Sequence, residues 1–245
     1  MSLVELLRPL PQYGDLEVNN VPRAGDNTKS LEFKLQRGYA NGFSILAAYM
    51  YYRERETWFP NDLYYYNWTT AWTDGGSPRH RLSLAGTYDL PFGHGRPLLS
   101  QANPVVNAVL GGWSFSPILT LTSGSFLKFW NDMVVAGDPT QNVPAGYAFN
   151  PSAFGPLPAF TPRSAPLLYP GVTGPIHWNI DASLSKTFPI RERFKLELRG
   201  EAYNLTNSII WGDPDPGYGD SEFGQRYTGQ ANTGRTVQYT LRLSF

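Results

Sequence analysis

The 245-residue chain contains no cysteine, which excludes disulfide frameworks and thiolate-held metals together. It has no charge excess either. Its 20 basic and 20 acidic side chains cancel, so the basic surface of a nucleic-acid-binding protein is missing and no nucleic-acid partner is expected. No apolar run approaches the roughly 18 residues of a membrane-spanning helix. A secretory leader is also missing from the opening "MSLVELLRPLPQYG". Glu5, Arg8 and Pro9 interrupt it before an apolar region of about 7–15 residues can form. An exported protein needs such a leader, so the chain is expected either to stay inside or to lack its true beginning.

What is abundant points to strands. Aromatics reach 15% of the chain, nearly as many as the charged residues at 16%, and 24 Gly and 21 Pro are available for turns. Tyr, Phe and Trp favour pleated surfaces, while Gly and Pro punctuate them. Alternation of apolar and polar residues recurs at 31–36, 43–51, 81–90, 113–122, 176–185, 194–202 and 236–245, the period of a strand with two unlike faces. The best helical stretch is short, "NPVVNAVLGG" at 103–112. The length suits one large all-β domain or two ordinary ones.

Two environments fit such strands. A soluble β-sandwich buries one face of each strand and wets the other; a membrane barrel turns its apolar face to lipid and its polar face to the lumen. Ten residues tilted by about 45° rise roughly 23 Å, close to the apolar band of an outer-membrane barrel. Connector lengths favour the barrel more strongly. "GYAN" and "PIRE" are short turns, whereas about 25 residues follow Tyr52, about 50 follow Ser123 and about 30 follow Asn204. With Phe245 set on the periplasmic side, both short turns fall there and all three long loops fall outside. Only 93–111 breaks the rule. The expected fold is therefore all-β, an antiparallel transmembrane β-barrel portion of seven or eight strands. Residues 1–28 are expected to form a loop or partial strand before barrel residues 29–245.

The last stretch, "TVQYTLRLSF", places Val237, Tyr239, Leu241, Leu243 and Phe245 on one side. An alternating strand ending on an aromatic has the form of the closing strand of bacterial outer-membrane barrels. Tyr239, Leu241, Leu243 and Phe245 are accordingly expected to be the signal read by the barrel assembly machinery.

Longer stretches carry a family likeness. "SLEFKLQRGYANGFSILAAYMYY", "PRHRLSLAGTYDLPFGHGRPLLS", "VLGGWSFSPILTLTSG", "FNPSAF" and "WNIDASLSKTFPIRERFKLELRGEAYNLTN" follow one another in this order. The chain resembles, over almost its whole length, the C-terminal barrel portion of Oar-like TonB-dependent transporters, which carry a carboxypeptidase-regulatory-like domain at their N-terminus. The resemblance implies an outer-membrane barrel of about 22 strands with a lumenal plug. Energised inner-membrane partners pull on a TonB box to admit scarce substrates. No plug, box or regulatory-like domain is recognisable here, so the chain is expected to be the C-terminal third of a transporter. The TonB system would then act only through the part that is missing, and outer-membrane lipid would be the surrounding partner.

No enzyme or cofactor is expected. His80, His94 and His177 lie in separate segments, whereas metal binding or catalysis needs them to converge with carboxylates. His94 reads as a turn residue and His177 as a lumen-facing polar position. "WGDPDPGYGDSE" offers Asp213, Asp215, Asp220 and Glu222 as hard oxygen ligands for calcium. Tyr218 stands where such a loop requires Gly, so turn chemistry is the preferred reading of 212–222. Lys195, Glu197, Arg199 and Glu201, with Arg242, are expected to face the lumen. Trp58, Tyr64, Tyr65, Tyr66, Trp68 and Trp72 crowd one outer loop; an interfacial girdle is the preferred role, a stacking platform for sugars or peptides the alternative. Two other functional readings stand beside the transporter: a small independent eight-stranded porin-like barrel, with 14–21 as the eighth strand, and a soluble carbohydrate-binding β-sandwich.

Overall fold

Asn41 and Gly42 take φ values of 54° and 78°, the left-handed pair that a two-residue hairpin turn requires. They fold β1 (Asp26–Ala40) back onto β2 (Phe43–Trp58). The computed structural model describes residues 12, 25–58, 71–129, 133–159, 166–191, 193–227 and 229–245. Along these follow β3 (Ala71–Asp74), β4 (His80–Asp89), α1 (Pro104–Leu110), β5 (Trp113–Thr122), β6 (Met133–Val135), β7 (Phe154–Pro156), β8 (His177–Arg191), β9 (Phe194–Tyr203) and β10 (Thr236–Ser244). The proposed eighth strand at 14–21 lies outside the described residues.

The main sheet runs β1-β2-β4-β5-β8-β9-β10, antiparallel throughout, with β3 added on β2. All seven expected strands are present. Among the described residues β1 pairs only with β2 and β10 only with β9, so both edges of this path are open. The expected pairings of β8 with β9 and of β9 with β10 are made. The helical stretch is α1. The Asn103 side chain accepts from the Val106 amide at 2.8 Å, and Pro104 opens the first turn, a favoured start for a helix.

Two boundaries differ from expectation. β1 begins at Asp26, inside the stretch assigned to 1–28. β2 continues past Tyr51 to Trp58, and Ala71–Asp74 returns along it as β3, so the first long loop is partly a strand extension. In "RERET" both faces are polar, so strand geometry continues after the hydrophobic alternation has stopped. Sixteen residues at about 3.3 Å each, tilted about 45°, rise roughly 37 Å, beyond an apolar band of about 25 Å. The far end of β2 therefore needs no apolar side.

The tightly buried apolar residues are not on the main sheet. Phe129, Met133, Phe149, Phe154, Tyr169, Val172 and Phe223 form a core inside the two loops that join β5 to β8 and β9 to β10. Phe149 lies 5.2 Å from Phe129 and 5.1 Å from Phe223, ring centre to ring centre. Backbone bonds from Ala148 to Gly224 and from Arg226 to Gly146 join the loops. The hairpin β6–β7 lies within this lobe. Asn204, buried and in the left-handed region at φ 52°, holds the root of the second loop. Its side chain donates to the Ser208 and Thr233 carbonyls at 2.9 and 3.1 Å.

Candidate functional site

Strand register divides the sheet into two unlike faces. Leu196, Leu198, Gly200 and Ala202 of β9 stand opposite Leu243, Leu241, Tyr239 and Val237 of β10. The same side carries Leu184 and Phe188, then Phe115 and Leu119, Leu82 and Leu84, Ile45 and Tyr49, and finally Phe33 and Leu31. One apolar face thus crosses all seven strands. It remains uncovered: Tyr239 is 79% and Leu241 68% exposed, whereas Phe129 in the loop lobe is fully buried. Aromatic pairs mark two levels of this face. Tyr49 and Tyr51 meet His80 towards the long loops, with the Tyr49 hydroxyl 2.8 Å from His80 Nδ1. Phe43 packs edge-on to Tyr88 towards the short turns.

The opposite face is polar and concave. Gln36 on β1, Thr87 on β4, Ser116 on β5, Asp181 on β8 and Glu201 on β9 line one cavity of about 580 Å³. Residues from near both sheet edges can share a cavity only if the sheet curls towards this side. A row of hydroxyls crosses it, with Thr87 Oγ1 3.1 Å from Ser116 Oγ. Lys195, Glu197, Arg199 and Glu201 lie on this face, and Arg242 stands opposite Glu197. Arg199 bridges its strand neighbours, with a guanidinium nitrogen 2.6 Å from Glu197 and another 3.9 Å from Glu201. His177, opposite Thr122, shares this side.

At the short-turn end, Asp89 joins three segments. One carboxylate oxygen accepts from the Tyr39 hydroxyl at 2.6 Å and from Arg96 at 3.0 Å; the other accepts from Ser114 at 2.6 Å. This explains the "PFGHGR" turn: Arg96 ties it to the strand end. His94 sits in the same turn, its Nδ1 3.1 Å from the Ser100 carbonyl oxygen.

A cation occupies the apolar side. Lys186 follows the phase of Leu184 and Phe188 and stands opposite Trp113. Its ammonium donates to the carbonyls of Ala108 and Gly111 at the end of α1 and lies 4.9 Å from the Phe188 ring centre. Helix carbonyls left unpaired at a C-terminus attract such a charge. The long connection at 93–111 therefore packs against the apolar side of the sheet foot, with Val105 and Val109 exposed. Lys186 and Asp89 were not singled out from sequence. For Lys186 the signal was there, since it is the one charge in phase with the apolar residues of β8.

Other expected site residues are scattered. Trp58 and Trp72 belong to β2 and β3, not to an irregular loop, because the strand extension recruits them. Tyr64, Tyr65, Tyr66 and Trp68 lie outside the described residues. Asp215 accepts from the Gly217 amide at 2.8 Å. Among the described residues no three His, Asp or Glu side chains gather as a metal site. Phe245 is exposed, its ring 6.3 Å from Phe194.

A curled antiparallel sheet with an uncovered apolar outside and a polar concave inside belongs to a transmembrane β-barrel, in which lipid covers what no protein layer does. The family model for the outer membrane beta barrel domain matches residues 2–238. The chain belongs to that family, and its place is the outer membrane. The alternative of a soluble β-sandwich is not the one the family supports. Comparison with curated proteins gives no match.

Proposed function

We propose that the chain is the C-terminal barrel portion of an Oar-like TonB-dependent transporter, serving substrate uptake and not catalysis. The observation that carries this reading is the curled sheet with both edges open among the described residues. Unpaired strand edges in hydrocarbon cost several kcal/mol per unsatisfied group, so further strands must complete the wall. The motif likeness supplies their source, a barrel of about 22 strands. In this reading the long-loop end faces outside and the short-turn end faces the periplasm. Lys195, Glu197, Arg199, Glu201 and Arg242 face the lumen, where a plug would meet them. The TonB system acts through a segment N-terminal to this one, and the assembly machinery reads Tyr239, Leu241, Leu243 and Phe245 on β10.

A second reading, a small porin-like barrel closed by 14–21 between β1 and β10, is favoured by the strong curl alone. The two separate by size. An antibody against the 133–159 lobe, used on outer membranes of the source cells, should detect a heat-modifiable band several times the mass of 245 residues. A heat-modifiable band at the mass of 245 residues would support the small barrel instead.

A further inference from the structure

On the apolar side of the sheet, just beyond Tyr49, Tyr51 and His80, the side chains change abruptly to cations. Lys29 stands directly opposite Arg53, and Asn27 opposite Arg55, in the same phase as Leu31 opposite Tyr51. Arg53 is two residues beyond Tyr51, about 6–7 Å along the strand. With the rim of Trp72 these residues line a cavity of about 210 Å³. Like charges directly opposite one another destabilise a strand pair, and the nearby acids do little to relieve them. Asp74 contacts Arg53 at 3.3 Å but also holds Arg79 at 3.0 Å. Glu54 and Glu56 point to the other side, where Glu54 accepts from Ser77 and Glu56 meets Lys128. Arg55 donates only to the Trp72 carbonyl, at 3.4 Å. Arg55 stands opposite Asp74 in register, but among the described residues neither Lys29 nor Arg55 has a carboxylate within ion-pair distance.

We infer that Lys29, Arg53 and Arg55 bind the phosphate of a lipid headgroup in the leaflet on the long-loop side. Four features converge: three cations with one shared acid, a cavity with room for a phosphate group, a position on the lipid-facing side, and a depth one step beyond an aromatic girdle, where headgroups lie. Arginine's fork suits phosphate oxygens, and Trp72 supplies an interfacial ring at the rim. The site rests on the orientation given under Proposed function, in which this leaflet is the outer one and its phosphates belong to glycolipid.

The test is native mass spectrometry of the complete barrel that contains this chain, purified from outer membranes and released from detergent micelles, with bisphosphorylated lipid A, the same lipid without phosphates, or inorganic phosphate. The wild-type protein should retain the bisphosphorylated lipid and neither other probe. K29Q/R53Q/R55Q should bind it about a hundredfold more weakly, the loss of three cations at about 1 kcal/mol each. K29R, which keeps all three charges and both arginine forks, and the distant Arg226→Gln should bind normally, and heat-modifiable gel mobility shows that each variant folds. Equal retention by the triple Gln variant, or equal retention of the phosphate-free lipid, would overturn the site. Retention of inorganic phosphate in place of lipid would overturn a lipid source. Orientation is read separately, by impermeant maleimide labelling of Ser221→Cys on intact cells. Failure to label would contradict the orientation without touching the lipid result.

Discussion

Lys186 on the lipid-facing side of β8 donates to the carbonyl oxygen of Ala108 at the end of α1, 2.6 Å away. A charge in the apolar phase of a strand is costly against hydrocarbon, and here three helix-end carbonyls surround it. The contact fastens the one long connection at the short-turn end to the outside of the wall.

Lys186→Met should therefore loosen that connection although it makes the strand more apolar. Hydrogen bonds to a charged group contribute about 1.5–3 kcal/mol each when broken singly, and Met leaves the carbonyls without their donor. We expect a loss near the lower end of that range in urea unfolding from lipid vesicles, with new protease cleavage within 91–112. Unchanged stability and no new cleavage would show that α1 is held by its apolar contacts alone.

Phe129→Ala addresses the loop lobe. Phe129 is fully buried and meets Phe149, Phe154 and Tyr169 at 5.1–5.4 Å. Truncating a buried Phe costs about 3–5 kcal/mol, here in a core whose residues lie outside the main sheet. Trypsin should cut 123–176 and 205–235 in the variant while the strands keep their heat-modifiable mobility. Loss of both together would mean that lobe and sheet fold as one unit.

The lobe should also respond to acid through Asp138. Its carboxylate accepts from the Thr140 hydroxyl at 2.7 Å, the Thr140 amide at 2.8 Å and Gln141 at 3.0 Å. These bonds, led by the Thr140 hydroxyl, hold its pKa below the usual carboxylate value. A lowered folded-state pKa means the stabilisation is complete above the ordinary carboxylate range and fades as pH falls through the lowered value. Proteolysis at 138–142 by an acid-active protease should rise as pH drops through that window, and Asp138→Asn should flatten the dependence. A wild-type profile as flat as the variant's would contradict this role.

Much of the sheet could be read from sequence because lipid imposes two faces. Leu196, Leu198, Leu241 and Leu243 fall in one phase, with Lys195, Arg199 and Arg242 in the other, and the register keeps them there. Beyond the lipid band that constraint ends. Arg53 and Arg55 continue β2 with no apolar partner phase, so the extension and β3 left no hydrophobic pattern. The lobe was invisible for a different reason. Phe129, Phe149, Phe154 and Phe223 come from irregular segments with no common spacing, and only the folded loops bring them together. The motifs of the family likeness proved structural where described: Asp89 with Arg96 at the sheet foot, and Asn204 at the loop root.

The two-faced wall is tested most directly by a single-cysteine scan of β9 from 195 to 202, in a chain with no native cysteine of its own. Each variant, in the complete barrel reconstituted into lipid vesicles, is labelled with a fluorophore and exposed to brominated lipid and to a water-soluble quencher. Labels at 196, 198, 200 and 202 should be quenched by the lipid, and those at 195, 197, 199 and 201 by the water-soluble reagent, in strict alternation. Equal access to water along both phases, or lipid quenching of 197 and 199, would contradict a lipid-facing apolar side and a lumenal polar one.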